Sequence, residues 1–132
     1  MAETKPGLRP LSPHLQIYRP MLTMMVSIMH RITGVALYFG VLLLVWWFTA
    51  AAVSDNYFDM VQGFFGHWFG RLVLFGLTWA LAFHTLGGLR HFLWDTGRGL
   101  EIKTVEWMAR ANLAGSIVIT LLLWVIGYWV KP

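Results

Sequence analysis

Ser27, His30 and Arg31 stand together at the start of a long apolar run, in the stretch Ser27-Ile-Met-His30-Arg31-Ile-Thr33-Gly34. A second polar cluster, His84-Thr-Leu-Gly-Gly88-Leu-Arg90-His91, ends the next apolar run. A hydroxyl, an imidazole and a guanidinium can hydrogen-bond a polar headgroup, and an imidazole can also ligate a metal. Ionisable groups at membrane depth are expensive and mark functional sites by default. The chemistry open to these residue types is therefore the binding of a redox group or a polar lipid within a bilayer.

The elements that must position them are long apolar helices. The 132 residues are 58% hydrophobic and 12% charged, with mean hydropathy +0.61, whereas an ordinary soluble domain is about 25% charged. Three uncharged runs account for this: Ile32 to Val53 is 22 residues, Leu72 to Leu89 is 18 and Ala111 to Val130 is 20. About 20 apolar residues in a helix cross a bilayer core. Three buried helices of a soluble protein are the alternative, but so small a chain has no polar shell to hide them. The expectation is one all-α membrane domain over residues 1–132, with an irregular arm at 1–20 and spanning helices at about 22–53, 67–94 and 110–131. Pro6, Pro10, Pro13 and Pro20 break the arm, and no apolar segment follows Lys5 and Arg9 as a secretory signal requires. Asp55-Asn56 signals a turn. The aromatic stretch from Tyr57 to Gly70 is expected at the membrane interface, and Asp95, Gly97 and Gly99 mark the end of the second span. Glu106 and Arg110 are four apart, as in a short solvated helical turn. Six of the tryptophans fall near the predicted interfaces, where aromatic belts form.

Charge sets the orientation. Lys5, Arg9, Arg19 and Arg31 precede or open the first helix, and Arg71 alone marks the first connection. Arg90, Arg98, Lys103 and Arg110 follow in the second connection, with Lys131 at the tail. Four, one, four and one is the positive-inside pattern. It places the N-terminus and second loop in the cytoplasm or an organelle matrix, and it argues against nucleic-acid binding as the meaning of the net charge of +4. There is no cysteine, which excludes disulfides, thiol catalysis, cysteine-ligated iron–sulfur clusters and c-type haem attachment within these residues. If this chain handles electrons, histidine must hold the metal.

On the first helix Ser27, Arg31 and Gly34 are spaced i, i+4, i+7 and share a face, with His30 beside them. A snorkelling arginine at a helix end is the plain reading of Arg31 alone. In combination these side chains could bind a polar headgroup entering from the membrane, and the guanidinium fork suits a carboxylate such as a haem propionate. Gly34 permits close approach of a helix or a flat ligand. On the second helix His84 lies six residues before Arg90, roughly 9 Å inside the cytoplasmic end. A buried imidazole there needs a partner or a metal. Gly87 and Gly88, at i+3 and i+4, clear a flat space that a porphyrin could fill, and Arg90 and His91 could meet propionates. A histidine bonded to a neighbouring helix is the competing reading. The second axial ligand stays open at this point: His30 from the same chain, or a partner helix. His14 and His67 are weaker candidates, one in the proline-rich arm and the other at the opposite interface.

Three segments resemble the cytochrome b subunits, the large membrane anchors, of succinate dehydrogenase (succinate:quinone oxidoreductase, respiratory complex II). They are Arg9-Pro10-Leu-Ser12-Pro13-His14-Leu-Gln-Ile-Tyr18, then Ser27-x-x-His30-Arg31-x-Thr33-Gly34, then His84-x-x-x-Gly88-Leu-Arg90-His91-x-x-x-Asp95-x-Gly97. Order, spacing and three-helix topology agree over nearly the whole chain. The resemblance implies a heterodimeric anchor bundle in which His84 ligates the iron of one haem b, the opposite histidine coming from a small hydrophobic anchor subunit. It places His30, Arg31 and His91 around the propionates. It also implies that Ser27 and Arg31 line a ubiquinone pocket completed by the iron–sulfur subunit. Asp95 and Glu101 fall where carboxylates would feed protons to the quinone, although solvated loop charge is the ordinary role of such residues.

The expected function is therefore that of a membrane subunit that docks the flavoprotein and iron–sulfur subunits and helps pass electrons from succinate to ubiquinone. The chain itself carries no flavin fingerprint and no succinate-oxidising site. The expected location is a bacterial inner membrane, because the N-terminus does not look like a mitochondrial transit sequence. Two rival classes are a self-contained cytochrome with both ligands in this chain and a haem-free structural anchor.

Overall fold

The computed structural model describes residues 13–130, and among them the chain is helix and connection, with no strand. The arm expected at 1–20 lies largely outside the described residues. Its last part forms one helical turn, α1 (His14–Ile17), followed by α2 (Leu22–Val53), α3 (Asp55–Gly66), α4 (Trp68–Asp95) and α5 (Ile102–Val130). The long helices α2, α4 and α5 have 32, 28 and 29 residues and contain windows of mean hydropathy 2.0, 1.6 and 2.1. At about 1.5 Å per residue each is roughly 42 to 48 Å long, more than a bilayer core of about 30 Å requires.

Two elements differ from the sequence expectation. Asp55-Asn56 opens a helix instead of a turn. Ser54 is extended and its side-chain oxygen accepts from the Tyr57 backbone N–H at 3.3 Å, and Asp55 stands in the first turn, where the helix dipole favours it. Residue types that favour turns also cap helices, and the two roles look alike in sequence. The third long helix begins at Ile102 rather than near 110. Glu106 and Arg110 pair at 4.0 Å on its outer face, and Ala109 is fully buried. The polar stretch thus marks the membrane surface and not the helix end.

Central α4 touches α2, α3 and α5. Val26 of α2, Phe83 of α4 and Ala109 of α5 meet in one core, with Leu22, Met29 and Trp79 packed around it. A second core, Ala50, Val61 and Phe65, joins α2 to α3 at the other end. There Trp46 Nε1 donates to the Tyr57 hydroxyl at 2.9 Å and Trp47 Nε1 donates to Gln62 Oε1 at 3.1 Å. Two aromatic side chains thereby keep their polar edges satisfied while α3 is fastened under the end of α2. After α4, Gly97 and Gly99 take φ of 74° and 73°, the left-handed conformation that ends the helix with little strain. Most apolar side chains of the spans face outward: only 6%, 22% and 11% of the three hydrophobic windows are buried within the chain. Burial of such faces requires lipid or other membrane helices.

Candidate functional site

His84 projects from α4 toward α2. Its Nδ1 lies 3.1 Å from the His30 backbone oxygen and 3.3 Å from Thr33 Oγ1. The Thr33 hydroxyl donates to that same His30 oxygen at 2.9 Å, so its proton is committed and its lone pairs face the ring. This network assigns the proton to Nδ1, which donates to the carbonyl and the hydroxyl oxygen. Nε2 then carries the lone pair, and among the described residues it makes no hydrogen bond. An N–H donated to a carbonyl is the usual way to fix the orientation and basicity of a metal-ligating histidine. Thr33 is 2% exposed, deep enough for the hydroxyl to be held for the ring.

His30 projects in the opposite direction, from α2 onto α4. The two imidazoles stack with centroids 4.0 Å apart and planes inclined by 16°. His30 Nε2 lies 3.3 Å from the His84 backbone oxygen, to which it donates. Each histidine therefore bonds the backbone at the other's position. Two glycines admit the rings. A Cβ on Gly34 would stand 3.0 Å from His84 Cε1, and one on Gly87 would run into the His30 ring, with Nε2 at 2.8 Å.

This arrangement alters part of the sequence reading. The space beside Gly87 is filled by His30, not left open for a flat ligand. Gly88 does face open space, with nothing within 4 Å of a Cβ placed there. The stacked rings turn their bonded nitrogens to separate backbone carbonyls and not to a common point, so the pair would not hold one metal between them. With His30 Nε2 bonded to a carbonyl, His84 is the one of the two stacked rings whose Nε2 makes no hydrogen bond among the described residues. Among the described residues no three His, Asp or Glu side chains gather to hold a bare metal ion. The donor set fits a metal that arrives with most of its own ligands, as haem iron does.

The remaining candidates fall around this pair. Ser27 and Arg31 share one side of α2, where with Thr23, Met24 and Ile28 they line an open groove of about 350 Å³. Arg31 is exposed there, without an ion pair among the described residues. His91 is exposed and meets the His30 ring edge-on at 5.3 Å and Trp94 at 5.1 Å. Asp95 and Glu101 are exposed at the end of α4 and in the following connection. His67 lies at the other end, where its Nδ1 accepts from the Phe69 backbone N–H at 3.4 Å and caps α4. The side chain of His14 is outside the described residues. The sequence reading gave Thr33 no role of its own, although its offset of three from His30 places its hydroxyl beside the i−3 carbonyl of a helix. Asn112, 4% exposed on α5, was also missed. Its only signal was an amide inside an apolar run.

Comparison with known proteins agrees with these motifs. The model of the family described as succinate dehydrogenase/fumarate reductase transmembrane subunit matches residues 5–123. The succinate dehydrogenase cytochrome b556 subunit of Paracoccus denitrificans is 46% identical over 122 residues, which are 92% of this chain and 94% of that protein. The subunit of the same name from Rickettsia conorii is 38% identical, over 95% of this chain and all of that protein. The mitochondrial succinate dehydrogenase cytochrome b560 subunit of Sus scrofa is 40% identical over 98 residues, covering 71% of this chain and 57% of that protein. The resemblance drawn from the sequence motifs thus holds along almost the whole chain. This multi-pass membrane protein belongs to the family of succinate dehydrogenase/fumarate reductase transmembrane subunits.

Proposed function

We propose that this chain is the haem-bearing large anchor of a succinate:quinone oxidoreductase. In this reading His84 supplies one axial imidazole to a b-type haem, and a small hydrophobic anchor subunit supplies the other. Ser27 and Arg31 face ubiquinone, and the flavoprotein and iron–sulfur subunits dock at the same end of the bundle. The observation that carries the reading is the His84 ring, oriented through Nδ1 and seated against Gly34, with an Nε2 that makes no hydrogen bond among the described residues. A neutral imidazole has no reason to leave a lone pair unused in lipid unless something takes it up. When bound, the haem supplies a one-electron store beside the quinone.

Quinone reduction consumes two electrons and two protons. Arg31 stabilises negative charge developing on a quinone oxygen, an electrostatic role that grows in a water-poor groove. The Ser27 hydroxyl, one turn away on the same side, donates a hydrogen bond to an oxygen and relays a proton. The positive-inside count of four, one, four and one supports an N-terminus on the cytoplasmic side of a bacterial inner membrane.

The decisive test is His84→Leu in the assembled complex. Loss of the bis-imidazole optical spectrum with all subunits still present is expected, and an unchanged spectrum would refute the ligand assignment. A parallel measurement addresses the quinone. Arg31→Leu is expected to lower quinone reductase activity by roughly 10²-fold, the usual cost of one electrostatic stabiliser, while succinate oxidation with an artificial acceptor persists. Undiminished quinone reduction would remove Arg31 from the site.

A further inference from the structure

A second polar feature lies on the side of α4 that faces α5. Arg90 follows His84 by six residues, roughly 120° around the helix, and turns toward α5. It is 6% exposed, and its Nε is buried without a hydrogen-bond partner. Its one described interaction is with Trp94, whose ring centroid is 4.8 Å from the guanidinium carbon. The ion pair among the described residues is Glu106 with Arg110, and Arg90 takes no part in it. Arg90 lines a shallow, open-sided cavity of about 270 Å³ together with Leu86, Leu89, Met108, Ala111 and Asn112. Asn112 brings a second unmet demand to the same cavity. Its amide donates to the Phe83 carbonyl at 3.5 Å, and its Oδ1 is buried without a partner.

A buried cation facing only an aromatic ring is under-compensated. The cavity therefore calls for an anion at Arg90, apolar matter along the leucines and methionine, and some water or hydroxyl at the Asn112 oxygen. We propose that this cavity between α4 and α5 binds an anionic membrane phospholipid, its phosphate on the Arg90 guanidinium. The guanidinium fork matches a phosphate in two N–H···O bonds. Leu86, Leu89 and Met108 offer the apolar wall that a glycerol ester and the start of an acyl chain require. The position is right for a lipid of the positively flanked leaflet, because Arg98, Lys103 and Arg110 stand at the same end of the bundle. The sequence alone left a haem propionate open as the partner of Arg90; the proposal gives it a lipid phosphate instead and uses none of Ser27, His30, Arg31, His84 and His91.

The experiment uses the complete complex, delipidated in mild detergent and offered phosphatidylglycerol or phosphatidylcholine, with retained lipid counted by native mass spectrometry. The wild-type complex is expected to retain one phosphatidylglycerol in preference to phosphatidylcholine. Arg90→Gln is expected to weaken that retention roughly ten-fold, about the value of one charge-assisted hydrogen bond. Ala111→Phe fills the cavity with Arg90 intact and is expected to expel the lipid as well, which keeps the proposal testable if Arg90→Gln fails to assemble. Arg98→Gln, at an exposed loop position, is expected to leave retention unchanged. Equal retention by wild type and Ala111→Phe would overturn the proposal. So would a loss in Arg98→Gln as large as in Arg90→Gln, which indicates diffuse surface charge. Displacement of the lipid by inorganic phosphate alone, or a partner-subunit carboxylate or haem propionate seated on Arg90 in the assembled complex, would also overturn it.

Discussion

The two seams that α4 makes, with α2 and with α5, handle buried polarity in opposite ways. Against α2, polar groups are satisfied across the helix pair: each histidine bonds the backbone at the other's position, and each ring rests against a glycine of the facing helix. Against α5, the bonds that cross the seam are single and unreciprocated, Asn112 to the Phe83 carbonyl at 3.5 Å and Trp124 Nε1 to Thr78 Oγ1 at 3.2 Å, and other hydroxyls bond within their own helix. Ser116 donates to the Leu113 carbonyl at 2.8 Å and Thr120 to the Ser116 carbonyl at 2.7 Å, so these hydroxyls serve as small packing units. Arg90 and Asn112 are left with orphaned atoms. Reciprocal bonding fixes rotation and register between two helices, and local bonding leaves both free to be set by packing. The first seam is built to hold an imidazole in one orientation. The second is built for close approach, with one polar cavity left in it.

This contrast can be broken at the glycine first. Gly87→Val would drive a branched side chain into the His30 ring and separate α2 from α4. Overpacking of a tight core costs about 1–3 kcal/mol even where neighbours can adjust. Here the reciprocal pair is lost as well, so the expected outcome is little assembled complex and no bound haem, read by subunit stoichiometry and pyridine haemochrome. Normal haem content in this variant would show that the stacked pair is not what seats His84.

Thr33→Val gives a smaller effect. It removes one acceptor from His84 Nδ1 and leaves the His30 carbonyl in place. The expected loss is about 1 kcal/mol, seen as a modest drop in thermal stability of the complex together with a shifted haem spectrum. A stability change without any spectral change would assign Thr33 to packing alone. The smallest effect is expected in the other seam. Asn112→Leu removes an oxygen that has no partner and a long amide contact, so stability is expected to stay within about 0.5 kcal/mol of wild type or to rise. A loss above about 2 kcal/mol would mean that Asn112 holds the two helices together and that the seams do not differ as described.

Legibility in the sequence followed locality. The three spans were readable because transfer from water to lipid is close to additive along a helix, and about 20 apolar residues suffice. The ends of α2 and α4 were marked by Pro20, Asp95 and Gly97. The start of α5 and the whole of α3 were not, because polarity reports the membrane surface while helix continuity depends on capping and packing. At the site, His84 and its tie to the family were readable from motif spacing, and so was the shared side of Ser27 and Arg31. The part played by Thr33 was not, since its hydroxyl matters through a ring 51 residues away.

By itself, then, the sequence determined a membrane-spanning helical chain with imidazoles, a hydroxyl and guanidiniums at lipid depth, because composition and helical period act over a turn or a span. Only the tertiary structure decided that Gly87 belongs to His30 and Gly34 to His84, that the two rings stack, and that Arg90 turns from them toward α5. Those outcomes depend on the rotation and register of one helix against another. Helices with apolar surfaces nearly all round set these by close packing and a few directional hydrogen bonds, which no local pattern encodes.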